Sequence, residues 1–257
     1  RQGVCLEYPM QKLALRALLL CLFCIPATAS LPDTEDLDAV LLRNVRSGFV
    51  DYDGIHADPA FGRYLAGLAN AAESDLDTPE VRLAFLINAY NALAIQGILD
   101  GYSPSSWFGR NTYFKRREYG LLGGTTTLEQ LEHGRIRPLG EPRVHFAIVC
   151  GSLSCPRLAS RAYDPATLEM QLEDAARSFA NDPTRNRFDV QRRIAFLSSI
   201  FDWYEADFVQ AAGSVQKFLA RYVSDPVAAE LLARDGFEVR FVDYDWDLNG
   251  VYRGKPD

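Results

Sequence analysis

One stretch limits the possible folds more than any other: Val81-Arg82-Leu83-Ala84-Phe85-Leu86-Ile87-Asn88-Ala89-Tyr90-Asn91-Ala92-Leu93-Ala94-Ile95-Gln96-Gly97-Ile98-Leu99. Thr78 can cap a helix here, Pro79 suits its first position, and Glu80 complements the dipole. Apolar residues fall on nearly every face. Such a helix cannot lie on a surface with one side in water; it belongs at the centre, wrapped by other elements. Asn88, Tyr90 and Asn91 interrupt it. A buried amide without a partner costs about 1–3 kcal/mol, so Asn88 and Asn91, on one face at i, i+3, must find partners. They either tie down a neighbouring loop or line a site.

The elements around this helix are predicted to be mixed. Helical spacing marks Asp33–Ser47, Pro59–Ala72, Pro165–Asn181, and segments near 214–222 and 226–234. A short helix over Thr127–Arg135 begins with a capping box, Thr126 to Glu129. Two short strands are expected within Arg187–Ser198 and a last one over Gly236–Val242, before an irregular tail, Tyr244–Asn249. Helices early and strands later describe an α+β fold. A single domain follows, with a long buried helix and a small, mostly antiparallel sheet. There is no Pro/Gly/Ser linker and no internal repeat.

The first 29 residues are set apart. After Met10 come Lys12 and Arg16, an apolar run from Ala17 to Ile25, Pro26, and Ala27-Thr28-Ala29. A basic start, a short apolar core and an A-x-A site describe a secretory signal peptide, with residues 1–9 upstream of its start. The run is shorter than the roughly 20 residues that span a bilayer. Residues 30–257 form the expected domain, with no later segment apolar enough for stable membrane insertion. Losing Arg1, Lys12, Arg16 and Glu7 takes the formal net charge from −7 to −9. An acidic protein of this kind is not expected to bind nucleic acid or anionic membrane. The expected location is periplasmic or secreted, where disulfides are permitted. Cleavage also removes Cys5, Cys21 and Cys24, leaving Cys150 and Cys155.

Those two cysteines lie in His145-Phe146-Ala147-Ile148-Val149-Cys150-Gly151-Ser152-Leu153-Ser154-Cys155-Pro156, an apolar strand-like run followed by a tight polar loop. Three chemistries are open to it. A thiolate activated by histidine is one. On a regular strand, however, His145 and Cys150 would stand about 16 Å apart and on opposite faces, so a dyad needs Cys150 with His133 or a sharp reversal that brings Cys155 back. A Cys150–Cys155 disulfide closing a small loop is the second. The third is a metal site of two thiolates with His133 or His145, although C-x4-C is looser than common zinc spacing. His56 reads as an exposed loop residue. The basic run Lys115-Arg116-Arg117 reads as a solvated charge run or a receiver for a carboxylate or phosphate. The acids Asp202, Glu205 and Asp207 read as surface or capping groups. No GxSxG, HExxH, P-loop or GxGxxG pattern occurs, and no cofactor is expected.

Taken together, HFAIVCGSLSCP, FLINAYNALAI, LEQLEHGRIRP, SSIFDWYEADF and YDWDLN resemble, in order, the family called domain of unknown function 547. The resemblance runs from about Val50 to Asn249. It implies motif positions at Asn88, Tyr90, Asn91, Glu132, His133, His145, Cys150, Cys155, Pro156, Trp203, Tyr204, Asp207, Asp245 and Trp246, without implying a reaction. A looser, fold-level similarity links a long buried helix and a later histidine-led strand to papain-like thiol hydrolases. In those folds the cysteine heads the helix. Here the helix offers only Thr78, Asn88 and Asn91, so that mechanism does not carry over.

The resulting expectation is an exported thiol-dependent hydrolase or acyltransferase acting on a peptide or other small acyl substrate. Cys150 or Cys155 would be the nucleophile and His133 or His145 the base. Asn88 and Asn91 would orient the base or hold an oxyanion. The alternatives are a non-catalytic binding module with a Cys150–Cys155 bridge and a metal site.

Overall fold

The 21-residue helix Pro79–Leu99 runs through the middle of the computed structural model, which describes residues 31–254 and Gly3. The expected signal segment lies outside the described residues. Thr78 accepts a hydrogen bond from the Val81 amide (3.2 Å), and the helix hands over to Gly101, whose positive φ of 86° suits a residue without a Cβ. Its side chains are buried almost without interruption from Leu83 to Leu99. By length and composition alone this helix could cross a bilayer, contrary to the sequence expectation, yet most of it is buried inside the protein.

Three helices, Thr34–Asn44, Tyr52–His56 and Pro59–Asn70, pack against one another, and the second and third of them cover one side of the central helix. Asp33, Asp51 and Asp58 cap them in turn, each accepting from a backbone amide two or three residues ahead. The other side meets Leu128–Leu131 and the segment that follows it. The capping box there sits one residue later than expected: the Gln130 amide donates to Thr127 Oγ1 and the Thr127 amide to Gln130 Oε1. Gly97 lets Tyr113 close in, since a Cβ there would stand 2.8 Å from the Tyr113 ring.

The α+β class is borne out, but among the described residues its sheet is divided into three small ones. Val45–Arg46 pairs antiparallel with Phe49–Asp51, which pairs parallel with Gly250–Val251. Tyr119–Leu121 and Gly124–Thr126 form a hairpin. Arg187–Asp189 runs antiparallel to Ile194–Ser198, which runs parallel to Glu238–Val242 with Phe196 opposite Arg240. Of these five pairings three are antiparallel, in line with a mostly antiparallel arrangement, and two are parallel. A second hydrophobic cluster, built on Phe146, Phe179, Phe201, Phe208 and Phe218, packs the helices of the C-terminal third.

The expected central strand at His145–Cys150 is absent. Pro142–Phe146 is a 3-10 helix, and the chain from Ala147 to Cys150 is irregular. No neighbouring strand supplies its backbone partners. The central helix does so through Asn91. Asn91 Nδ2 donates to the Ala147 carbonyl (2.9 Å) and Asn91 Oδ1 accepts from the Val149 amide (2.8 Å). Asn88 holds Tyr163 in the same way, giving to its carbonyl and taking from its amide, both at 2.8 Å. Each carboxamide thus acts as a two-pronged substitute for a strand edge.

Replacing Asn91 with alanine orphans a buried carbonyl and a buried amide together. The expected loss is about 3 kcal/mol, read as a lower urea midpoint with an unchanged m-value. A loss below about 1 kcal/mol would show that the segment finds other partners.

Candidate active site

The irregular segment and the cysteine loop form one wall of a cavity of about 220 Å³. Two π-helical turns, Thr112–Arg116 and Glu132–Ile136, form another. Their wider winding presents Phe114 and Lys115 from one, and Glu132 and His133 from the other. Trp203, Tyr204, Tyr244 and Trp246 complete it, with Tyr90 from the central helix.

The cysteine loop is held from several directions. Gly151 has a φ of 82°, and a Cβ there would meet Ile98 Cδ1 at 2.4 Å, so the turn needs glycine on both counts. The Leu153 and Ser154 amides donate to the Asp247 and Asp245 carbonyls, and the Asp245 amide donates to Ser154 Oγ. This stitching brings the tail, irregular as expected, across the loop and places Tyr244 and Trp246 over the cavity. Arg185 donates to the Cys155 and Leu153 carbonyls and pairs with the buried Asp182.

Cys150 and Cys155 are buried free thiols, not a disulfide. They differ in proton affinity. Cys155 Sγ receives the Cys150 backbone amide (3.0 Å) and the Tyr244 hydroxyl (3.2 Å), and Ser152 Oγ donates in turn to Tyr244 (3.1 Å). Burial alone would raise the Cys155 pKa. Hydrogen bonds from Cys150, Tyr244 and Ser152 outweigh it and bring the thiol down to about 6. Cys150 moves the opposite way, because its hydrogen bond to the Cys155 sulfur and its burial both hold its proton. The pair shares one proton, kept on Cys150, and the charge settles on Cys155.

His145 lies on the 3-10 turn that leads into the irregular segment. It is 3% exposed, stacked on Tyr204 at 3.9 Å between ring centres, with Phe208 at its edge. Its Nε2 lies 2.8 Å from Asp207 Oδ2. Asp207 also takes a two-point contact from Arg137, at 2.8 Å on each oxygen. Arg137 and His145 hold the Asp207 carboxyl below its usual range. An ionised carboxylate only accepts, so Nε2 must carry the proton. Burial lowers the His145 pKa to about 4 against the pull of Asp207, so the ring is neutral and Nδ1 is left as a lone-pair acceptor. That nitrogen is buried without a partner. His133 is tied elsewhere: its Nδ1 lies 2.8 Å from Arg137 Nη1.

Cys150, Cys155, His133 and His145 therefore share one cavity, while Asn88 and Asn91 serve the backbone behind it. Neither imidazole is hydrogen-bonded to either sulfur. Among the described residues no group of three or more His, Cys, Asp and Glu side chains is placed to hold a metal ion, so two thiolates and a histidine do not form a ligand set. Lys115 pairs with Glu129 at 2.8 Å and Arg117 with Asp100 at 2.7 Å. His56 is exposed at the end of a short helix, against the edge of Tyr252. Residue-by-residue reading passed over Asp207 as a surface acid and missed Arg137 and Tyr244. Arg137 stands one helical turn beyond His133. Tyr244 carries no local signal, because its role depends on the tail crossing the cysteine loop.

Fold and cavity together define an α+β protein with a low-pKa thiol and an aspartate-oriented histidine in one aromatic pocket. Residues 74–180 match the family model described as Protein of unknown function, DUF547, the family that the motifs of this chain resemble. The match is narrower than the span from Val50 to Asn249. It contains both cysteines and both cavity histidines, while Asp207, Trp203 and the tail lie beyond it. Searches of the curated proteins and of the solved structures found no match.

Alkylation by iodoacetamide is expected at Cys155, with a rate that rises as pH climbs through about 6 and then levels off, because the thiolate accumulates above its pKa. Cys150 stays protonated over that range and unlabelled. Tyr244→Phe removes a donor from the thiolate and moves the inflection up by about one unit. Peptide mapping of the alkylated protein checks both. A single inflection near the ordinary thiol value of about 8.5 would refute the assignment.

Proposed function

We propose that this cavity carries out thiol-dependent acyl transfer, as an exported hydrolase or acyltransferase acting on a peptide or other small acyl substrate. The observation that carries the reading is the Cys155 sulfur, held as a thiolate by the Cys150 amide and Tyr244 at the wall of a pocket that His145 and Asp207 also serve. Export is supported by the basic, apolar and A-x-A pattern of residues 10–29.

In the acylation step the Cys155 thiolate attacks the acyl carbon. The new S–C bond replaces the bond to the leaving group, which departs with its electron pair and, where it is an amine or alcohol, takes a proton from solvent. Water resolves the thioester. It gives its proton to His145 Nδ1 as its oxygen attacks, the C–S bond breaks, and its electron pair returns to Cys155 as thiolate. His145 then passes the proton to solvent. Asp207 holds the imidazole in the one tautomer that leaves Nδ1 free and stabilises the transient imidazolium. Because His145 is not bonded to the sulfur, its work falls in the second step: the nucleophile is already ionised without it.

Incubation with p-nitrophenyl acetate should release a burst of p-nitrophenolate and leave one acetyl group, which intact-mass and peptide analysis place on Cys155. Cys155→Ala abolishes the adduct. Asp207→Asn keeps the burst but slows deacylation about a hundredfold, so that the acetylated form accumulates. No adduct, or one that persists in the alanine variant, would overturn the proposal.

A further inference from the structure

The cavity presents two buried acceptor atoms that no donor satisfies. One is Glu132 Oε1, on a side chain 5% exposed; the other is His145 Nδ1, on a side chain 3% exposed. Both residues line the same pocket. Tyr90 donates to the other Glu132 oxygen at 3.3 Å and the Tyr204 hydroxyl lies near the same carboxyl, yet Oε1 itself has no donor. An unsatisfied buried acceptor of this kind costs on the order of the hydrogen bond it lacks. Two of them facing one aromatic pocket mark a place built to receive N–H groups.

The charges on the walls agree. The lining residues include one lysine and two glutamates, and Lys115 is paired with Glu129. Arg137 is committed to Asp207, while Arg110 lies over the outer Trp246 ring and donates to the Pro104 carbonyl. His145 is neutral. Glu132 and the Cys155 thiolate therefore form no ion pair with any of these cations. A carboxylate or phosphate entering here would meet two like charges and two acceptors. A protonated amine or a guanidinium would meet a carboxylate, an imidazole lone pair and flanking Trp and Tyr rings, all of which favour it.

We infer that the substrate of this site bears a protonated amine or guanidinium, recognised by Glu132 with Tyr90 behind it and by His145 Nδ1. The assignment rests on the cavity being the reaction site, and it names the class of substrate admitted there. Such a group also brings the acyl carbon toward Cys155, on the wall formed by the cysteine loop. During deacylation the cationic portion can leave His145 and stay on Glu132, which frees Nδ1 to take the proton from water.

Benzylamine, benzyl alcohol and benzoate share one ring and differ in the group they present. Calorimetric titration of the full protein at neutral pH should show benzylamine binding at least about tenfold more tightly than benzyl alcohol, with benzoate not binding. Glu132→Gln keeps the shape of the side chain, removes its charge, and should erase the preference of amine over alcohol. Equal binding of amine and alcohol to the unaltered protein, preferred binding of benzoate, or a preference that survives in a folded Glu132→Gln protein would overturn the inference. The comparison on the unaltered protein decides the matter even where the variant does not fold. None of these titrations needs a reactive thiol. Loss of the acetyl adduct on Cys155 would sink the acyl-transfer reading and leave amine binding standing, while loss of amine selectivity would do the reverse.

Discussion

The grip of the Asn91 carboxamide on Ala147 and Val149 is the contact on which the rest of the site depends. A chain segment with no strand beside it can be buried only if its amides and carbonyls find partners. Here a helix supplies them through one side chain, and Asn88 repeats the arrangement three residues earlier on Tyr163. The helix must then be buried on all sides, because the segments it holds are themselves core. The apolar residues around Asn88 and Asn91 meet that requirement. Freed from a pleated ladder, the chain can put His145 and Cys150 to use in one cavity, which a strand would have kept on opposite faces.

Once the backbone is fixed this way, the electrostatics follow from which groups still lack partners. Cys155 collects donors from the loop and the tail, so its proton is displaced onto Cys150. Asp207 is shared by Arg137 and His145, which leaves it ionised and sets the imidazole tautomer. Burial keeps that imidazole neutral. A thiolate and a neutral base can thus coexist in one pocket without forming an ion pair. An imidazolium–thiolate pair would need His145 charged, and its burial under Tyr204 and beside Phe208 opposes that.

The sequence shows the central helix clearly, because apolar positions on nearly every face leave few places for it to go. The aspartate and threonine caps, the hairpin strands near 187–198 and the last strand also follow local rules. The segment His145–Cys150 misleads for a physical reason: Phe-Ala-Ile-Val suits a buried strand, and only a side chain 56 positions away makes another conformation affordable. The two cysteines and two histidines stand out as candidates by their chemistry alone. Their partners do not. Asp207 reads as one of several acids on a short aromatic-rich helix, and Tyr244 as part of a tail without periodicity. Each acquires its role from contacts made across 62 and 89 positions.

The cavity also lies where the two hydrophobic clusters meet, and the segment 144–150 is the seam. Val144 and the run from Ala147 to Cys150 pack into the cluster around the central helix, whereas Phe146 points into the phenylalanine cluster of the C-terminal third. His145 sits between them, on the side of Tyr204 and Phe208. The thiols belong to one cluster and the aspartate that orients the base follows the other. A substitution in either cluster that shifts its packing therefore moves one half of the chemistry relative to the other. This arrangement explains why the asparagine clamp matters more than its two hydrogen bonds suggest. It fixes the one stretch of chain whose side chains belong to both clusters, and so it sets the register between base and nucleophile.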